Sequence, residues 1–312
     1  MQGRRCRAQE FLTSEGGMSV KTKIEWTDAV WNPVSGCSKV SHGCKNCYAE
    51  RLWPRLSAPG QPYAGRAFTD VRCHPERLSD PLRWRKPRRV FVNSMSDLFH
   101  EDVSNIFLSS VFNTMACAHV HTFQILTKRP ARMREWFETI RRYEHRDGSI
   151  FHLDQDDLIV GLDHWPLPNV WLGVSVEDQS TADERIPLLL QTPAATRFIS
   201  AEPLLAQINI ERWLPAKIIG VPGEQTIDGL DWVICGGESG PRARPMQAAW
   251  AQSLRDQCQA AGVPFFFKQW GEWLPAMQNS ATKMNASDDP IRIGKKSAGR
   301  RLDGRTWDEF PE

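Results

Sequence analysis

Three thiols, Cys37, Cys44 and Cys47, fall within eleven residues, with six residues between the first pair and two between the second. They stand in the stretch Asn32-Pro33-Val34-Ser35-Gly36-Cys37-Ser38-Lys39-Val40-Ser41-His42-Gly43-Cys44-Lys45-Asn46-Cys47-Tyr48-Ala49-Glu50, where an Asn-Pro step and two glycines specify a loop. From Tyr48 the composition turns to Ala, Glu, Arg and Leu, which favour helix. Thiolates at a helix N-terminus gain from its partial positive charge, so this loop is built to ligate a metal. Two metals fit the donor set. Zinc closes a tetrahedron of four ligands, and Cys37, His42, Cys44 and Cys47 could supply one locally. A four-iron cubane takes one cysteine per iron, so three cysteines leave one iron open to a substrate or cofactor. Buried cysteines without metal are the third reading, but a Gly/Pro loop offers them no core to pack into. The other cysteines (Cys6, Cys73, Cys117, Cys235, Cys258) are scattered and read as small core residues or free thiols.

The elements that must position this loop alternate along the chain. A strand is expected over 23–31 ahead of the cysteines and a helix over 48–56 behind them. Apolar runs come next at 90–92, 122–126, 169–176, 196–199, 231–235 and 265–267. Between them the sequence predicts helices over 104–118 with Ser104 as N-cap, from Pro130 onward, over 179–190, and over 247–261 ending at Gly262. Strands alternating with helices specify a parallel sheet with crossover helices. The expected fold is α/β: a partial (β/α) barrel of six to seven strand–helix units with insertions. Residues 1–20 are polar, Arg-rich and without period, with Met18 after two glycines, and are expected to be a disordered extension. The barrel should occupy 21–274, with surface insertions or lids at 143–168 and 206–229, and 275–312 should be an irregular arm wrapping back.

Each apolar run ends in a compact polar segment. Val92 leads into Asn93-Ser94-Met95-Ser96-Asp97, Leu126 into Thr127-Lys128-Arg129, and Val174 into Ser175-Val176-Glu177-Asp178. Ile199 leads into Ser200-Ala201-Glu202-Pro203, Cys235 into Gly236-Gly237-Glu238, and Phe267 into Lys268-Gln269-Trp270. In parallel α/β folds the carboxyl ends of the strands face the ligand crevice, so these groups and the cysteine loop belong to one rim. That convergence points to an enzyme. Lys128, Glu177, Glu202 and Lys268 are the candidate catalytic groups; Tyr48, Ser94, Asp97, Ser175, Gly236, Gly237 and Glu238 are the candidate cofactor-binding ones. Trp270 and Trp273 could stack on a planar ligand, whereas Trp26, Trp31, Trp171 and Trp232 lie in strand-like runs and read as core.

Gly36-Cys37 and His42-Gly43-Cys44-Lys45-Asn46-Cys47-Tyr48-Ala49-Glu50 resemble the cysteine loop of radical S-adenosylmethionine enzymes, particularly the branch similar to spore photoproduct lyase. The first interval here is longer than in that branch, as though three residues were inserted before His42, and Asn46 replaces an aromatic residue. The resemblance implies a [4Fe-4S] cluster on Cys37, Cys44 and Cys47, whose fourth iron chelates S-adenosylmethionine. It implies reductive cleavage to a 5′-deoxyadenosyl radical and an electron-donor protein as partner. A similar Gly-Gly-Glu contacts the methionine amine in such enzymes, though after the second strand, while Gly236-Gly237-Glu238 comes after a late one. From about Lys21 onward the chain also resembles an uncharacterised phage and prophage family with the same three-cysteine motif. That context points to nucleic acid or a nucleotide as substrate, but a peptide or small metabolite suits the residues equally well.

With 39 basic against 37 acidic side chains the net charge of +2 says nothing about nucleic acid. No signal peptide or membrane-length apolar run is present, so a reducing cytoplasm is expected and no membrane partner. A second function class remains open: a zinc-stabilised nucleic-acid-binding protein, with Zn2+ on Cys37, His42, Cys44 and Cys47. The basic run 83–89 with its embedded Trp84 would be its grip. That reading leaves the polar strand ends unexplained.

Overall fold

The computed structural model describes residues 22–142, 165–217, 226–275 and 289–312. The expected extension 1–20 lies outside these residues, as do 143–164 and 218–225 of the two expected insertions and 276–288 of the arm. Seven strands form one sheet: β1 (Ala29–Trp31), β2 (Arg89–Val92), β3 (Thr122–Thr127), β4 (Val170–Ser175), β5 (Thr196–Ala201), β6 (Trp232–Gly236) and β7 (Phe265–Gln269). All pairs are parallel, and the order in the sheet is the order in the chain. Among the described residues nothing pairs β7 with β1, so the curled sheet is a partial (β/α) barrel.

Among the described residues the helices of more than four residues are α1 (Tyr48–Leu56), α2 (Asn105–Cys117), α3 (Pro130–Arg142), α4 (Gln179–Leu190) and α5 (Ala248–Ala261). Their ends obey local chemistry. The Ser104 hydroxyl accepts from the Phe107 amide at 3.2 Å, Asp178 and Thr181 form a capping box, and Gly262 ends α5 at φ 68°. The first strand is shorter than the expected 23–31. Residues 24–27 close a turn through Thr27 N–Ile24 O, and this sends Trp26 beneath the sheet.

Alternation along the strands separates two faces. Val90, Ile125, Leu172, Ile199, Val233 and Phe265 join the buried residues of the helices. On the other face Phe198, Trp232, Ile234 and Phe266 pack with Trp26 and Phe310, the last brought in by the C-terminal arm. Trp232 is the hub of this aromatic floor, with ring centroids 5.6 Å from Phe198, 6.3 Å from Trp26 and 5.1 Å from Phe310. Trp26, Trp31 and Trp232 are buried as expected, and Trp171 is half-buried. The arm also covers the free edge of β7: Asp308 bridges Phe266 antiparallel, and Phe267 N donates to Trp307 O at 2.9 Å. Toward the carboxyl ends of the strands the same inner face turns polar. Ser175 and Lys268 stand at or near the ends of β4 and β7, Gly236 at a register shift between β6 and β7, and Lys128, Glu177, Glu202 and Glu238 just past their strands. Among the described residues no helix is long and apolar enough to cross a membrane.

Candidate active site

The cysteine loop leaves the carboxyl end of β1. Val34–Ser35 pairs with Arg72–Cys73, and Gly36 turns the chain at φ 88°, where a Cβ would press on the Asp70 and Phe68 carbonyl oxygens. A 3-10 turn, His42–Cys44, then delivers Cys47 to the N-terminus of α1. All three sulfurs are free thiols and half-buried. Each faces a hydrogen-bonding group. Arg129 Nη1 lies 3.7 Å from Cys37 Sγ, the Ser41 hydroxyl 3.9 Å from Cys44 Sγ, and the Glu50 and Ala49 amides of α1 serve Cys47. Burial pushes the Cys37 thiol up to about 12, Asp97 adds to it, and Arg129 opposes. Burial likewise raises Cys47 against the pull of the two amides. Ligation would release these protons, because a bound cation supplies the charge that burial withholds.

Three sets of rim side chains hold this loop. Glu177, fully buried after β4, receives Lys128 Nζ, the Ser41 hydroxyl at 3.3 Å and Arg185 at 3.2 Å. Gly43 lies on that carboxylate so closely that a Cβ would collide with it. Glu238, after β6, takes a fork from Arg244 (Nε 2.9 Å, Nη2 2.7 Å), the Arg244 amide at 2.8 Å and Asn46 Nδ2 at 3.0 Å. Burial alone would raise the Glu238 acid, but the Arg244 and Asn46 bonds outweigh it and hold the acid below the usual range. Arg129, just past β3, grips Ser38 Oγ at 2.7 Å, Glu101 at 2.8 Å and Asp97 at 3.4 Å.

The remaining sequence-derived residues divide. Lys268 on β7 pairs with Glu202 at 3.1 Å, crossing β6 at Gly236, where a Cβ would strike the Glu202 carboxylate. This pair is half-buried on the inner face. Gly237 packs against the Trp270 carbonyl, so both glycines are required by close approach of neighbouring strand ends. Asp97 accepts from Thr127 Oγ1 at 2.7 Å, Phe99 N at 3.0 Å and Lys128 N at 3.0 Å, and organises the rim from beneath. Ser94 bonds Asn32 Oδ1 at 3.3 Å, Ser175 is buried with its carbonyl on Arg185 at 2.7 Å, and Tyr48 stands exposed at the start of α1.

One expectation is corrected. Trp270 is not available for stacking: it is 1 % exposed, with its indole N–H on Arg301 O at 2.9 Å. The basic run 83–89 enters β2 at its amino end, whereas the cysteine loop leaves the parallel β1 at its carboxyl end, so the two lie at opposite ends of the sheet. Trp84 there packs half-buried, with Arg88 over its ring at 5.3 Å. Among the described residues no three His, Cys, Asp or Glu side chains are placed to hold one ion, and His42 faces Asp178 at 3.2 Å. A cubane binds one thiolate per iron, so its ligands need not converge on a point. Sequence reasoning placed Arg129 and Asn46 on the rim without giving either a role, and missed Arg185 and Arg244, which meet the rim only through tertiary approach.

The chain belongs to the family described as "Protein of unknown function (DUF5131)", whose model matches residues 21–311. No curated protein matches it. Among solved structures it is similar to spore photoproduct lyase carrying a cysteine-to-serine substitution, at 11% identity and TM-score 0.39, covering 82% of this chain and 77% of that one. It is also similar to spore photoproduct lyase complexed with dinucleoside spore photoproduct, at 10% identity and TM-score 0.37, covering 79% and 65%.

Proposed function

We propose that this chain is an iron–sulfur enzyme of the radical S-adenosylmethionine type, with Cys37, Cys44 and Cys47 as ligands of a [4Fe-4S] cluster. The observation that carries the reading is the set of three free, half-buried thiols, each facing a hydrogen-bonding group, at the carboxyl rim of a parallel partial barrel. Three thiolates on four irons leave one iron for the amino and carboxylate groups of S-adenosylmethionine. Once bound, these groups would supply reductive cleavage to a 5′-deoxyadenosyl radical that abstracts hydrogen from substrate.

The chain's own residues have distinct tasks in this reading. Arg129 and the α1 amides offset negative charge on the Cys37 and Cys47 sulfurs, while Glu177 and Glu238 hold the loop through Ser41, Gly43 and Asn46. The aromatic floor around Trp232 closes the inner face below the rim and keeps water out. The Glu202–Lys268 pair, which bridges β5 and β7 across Gly236, is the charged group best placed to meet a substrate. A nucleotide or nucleic acid is the substrate class we favour, with an electron-donor protein as partner and the cytoplasm as setting.

Anaerobic purification with iron, sulfide and zinc analysis tests the reading. Wild type should carry about four irons per chain with broad blue-region absorption, lost in Cys44→Ala, and should release 5′-deoxyadenosine from S-adenosylmethionine under reduction. A colourless chain holding one zinc would overturn it.

A further inference from the structure

We infer that Arg129 is the charge partner of the Cys37 sulfur and sets how readily a cluster held there accepts an electron, an inference that rests on the iron–sulfur reading above. The side chain is 8% exposed, and every nitrogen of the guanidinium has a partner. Nε donates to Glu101 Oε2 at 2.8 Å, and Nη2 to Ser38 Oγ at 2.7 Å and Ser38 O at 3.3 Å. Nη1 lies 3.4 Å from Asp97 Oδ2 and 3.7 Å from Cys37 Sγ.

The partners are fixed in turn. Asp97 is buried and locked by Thr127 and by the Phe99 and Lys128 amides. Ser38 Oγ meets His100 Nε2 at 2.8 Å, and His100 Nδ1 accepts from the Asp102 amide at 3.2 Å. The imidazole proton therefore sits on Nε2 and is donated to Ser38. The guanidinium cannot swing away from the sulfur without leaving Asp97 as a buried charge with no cation beside it.

A cluster on three thiolates becomes more negative when it takes up an electron, so a cation bonded to a ligand sulfur stabilises the reduced form more than the oxidised one. Partial burial keeps solvent from screening that preference. Lysine would preserve the charge but not the planar fork that reaches Glu101, Ser38, Asp97 and Cys37 together. A purely structural Arg129, tying the loop to residues 97–101, would affect loading and stability without moving the potential of the clusters that do load.

The test compares full-length wild type, Arg129→Lys and Arg129→Gln, each assembled without oxygen from iron and sulfide and matched by metal content and thermal melting. Midpoint potentials are read by electron paramagnetic resonance during titration with dithionite. We expect the potential to fall from wild type to Arg129→Lys and further to Arg129→Gln. Loaded variants with the wild-type potential would overturn the inference. So would two folded variants that take up no cluster, since Arg129 would then be a condition of assembly. A wild-type chain that takes up no cluster removes the underlying reading as well, and that result is separate from any behaviour of the variants.

Discussion

Glu177 shows how a residue just past a strand end serves the site through the loop it holds. Its carboxylate is fully buried between Lys128 and Arg185 and accepts from Ser41, whose hydroxyl also meets Cys44. One carboxylate thus pairs with two cations and holds the Ser41 hydroxyl beside the middle thiol. Glu177→Gln would leave both cations without compensation, and breaking a buried ion pair from one side costs about 3–5 kcal/mol. Urea unfolding should show a loss at the lower end of that range, because Lys128 is partly solvated; a loss within the scatter of surface substitutions would show that the carboxylate is not the charge that holds them. Gly43→Ala asks a narrower question. Its Cβ would collide with a Glu177 side chain that two cations hold in place, so the 3-10 turn must shift. Iron loading should drop severalfold while the far-ultraviolet dichroism spectrum is unchanged.

At the scale of elements, the alternation of apolar runs with capped amphipathic stretches was enough to give a partial (β/α) barrel, because Ser104, Pro130 and Gly262 act within their own turn. The rule that strand carboxyl ends face one crevice also put Lys128, Glu177, Glu202 and Lys268 on one rim. Pairing between distant elements is the part that a linear sequence could not carry: Arg244 with Glu238, Arg185 with Glu177, and Arg129 with Cys37 depend on how elements approach in space. Gly236-Gly237-Glu238 is the instructive case, since its glycines answer to Glu202 and Trp270 and its carboxylate to Arg244 and Asn46. The C-terminal arm had a weak signal, a tail poor in apolar residues until Trp307 and Phe310. In the fold Phe310 lies 5.3 Å from Phe266 and 5.1 Å from Trp232, and Arg89 sits over its ring at 3.9 Å. Phe310→Ala should therefore lower stability by about 2 kcal/mol. Because the arm meets the floor and the cysteine loop sits on the rim, iron loading should stay at the wild-type level; a joint loss would mean that the two ends of the sheet are coupled.

Across the whole molecule, three buried histidines tie together parts of the chain that lie far apart in sequence. His74 Nε2 meets Ser35 Oγ at 2.7 Å, joining the start of the cysteine loop to the segment before β2. His100 meets Ser38 at 2.8 Å on the rim, and His121 Nε2 meets Pro81 O at 3.1 Å at the opposite end. Burial is the first cause that lowers all three below the ordinary imidazole value of 6.5; Arg77 adds to it at His74, Arg129 at His100 and Arg88 at His121, while Glu76, Glu101 and Asp102 pull back. Linkage sets the sign. With folded values below 6.5, the unfolded chain binds more protons as pH falls through 6.5, so stability is full above that point and is lost progressively below it. Glu101, Glu238 and Asp70, whose acids are held low, withdraw stability only in the carboxylate range, while the raised Asp80 and Asp231 act in the opposite direction from the acid end. Thermal melts of the metal-free chain between pH 7.5 and pH 5 (roughly the span over which imidazoles titrate) should show a midpoint that is level at first and falls once pH passes below 6.5. A midpoint that rises or stays level through that window would mean that these imidazoles accept their second proton in place, and the three ties would then be bridges between neutral or charged rings alike.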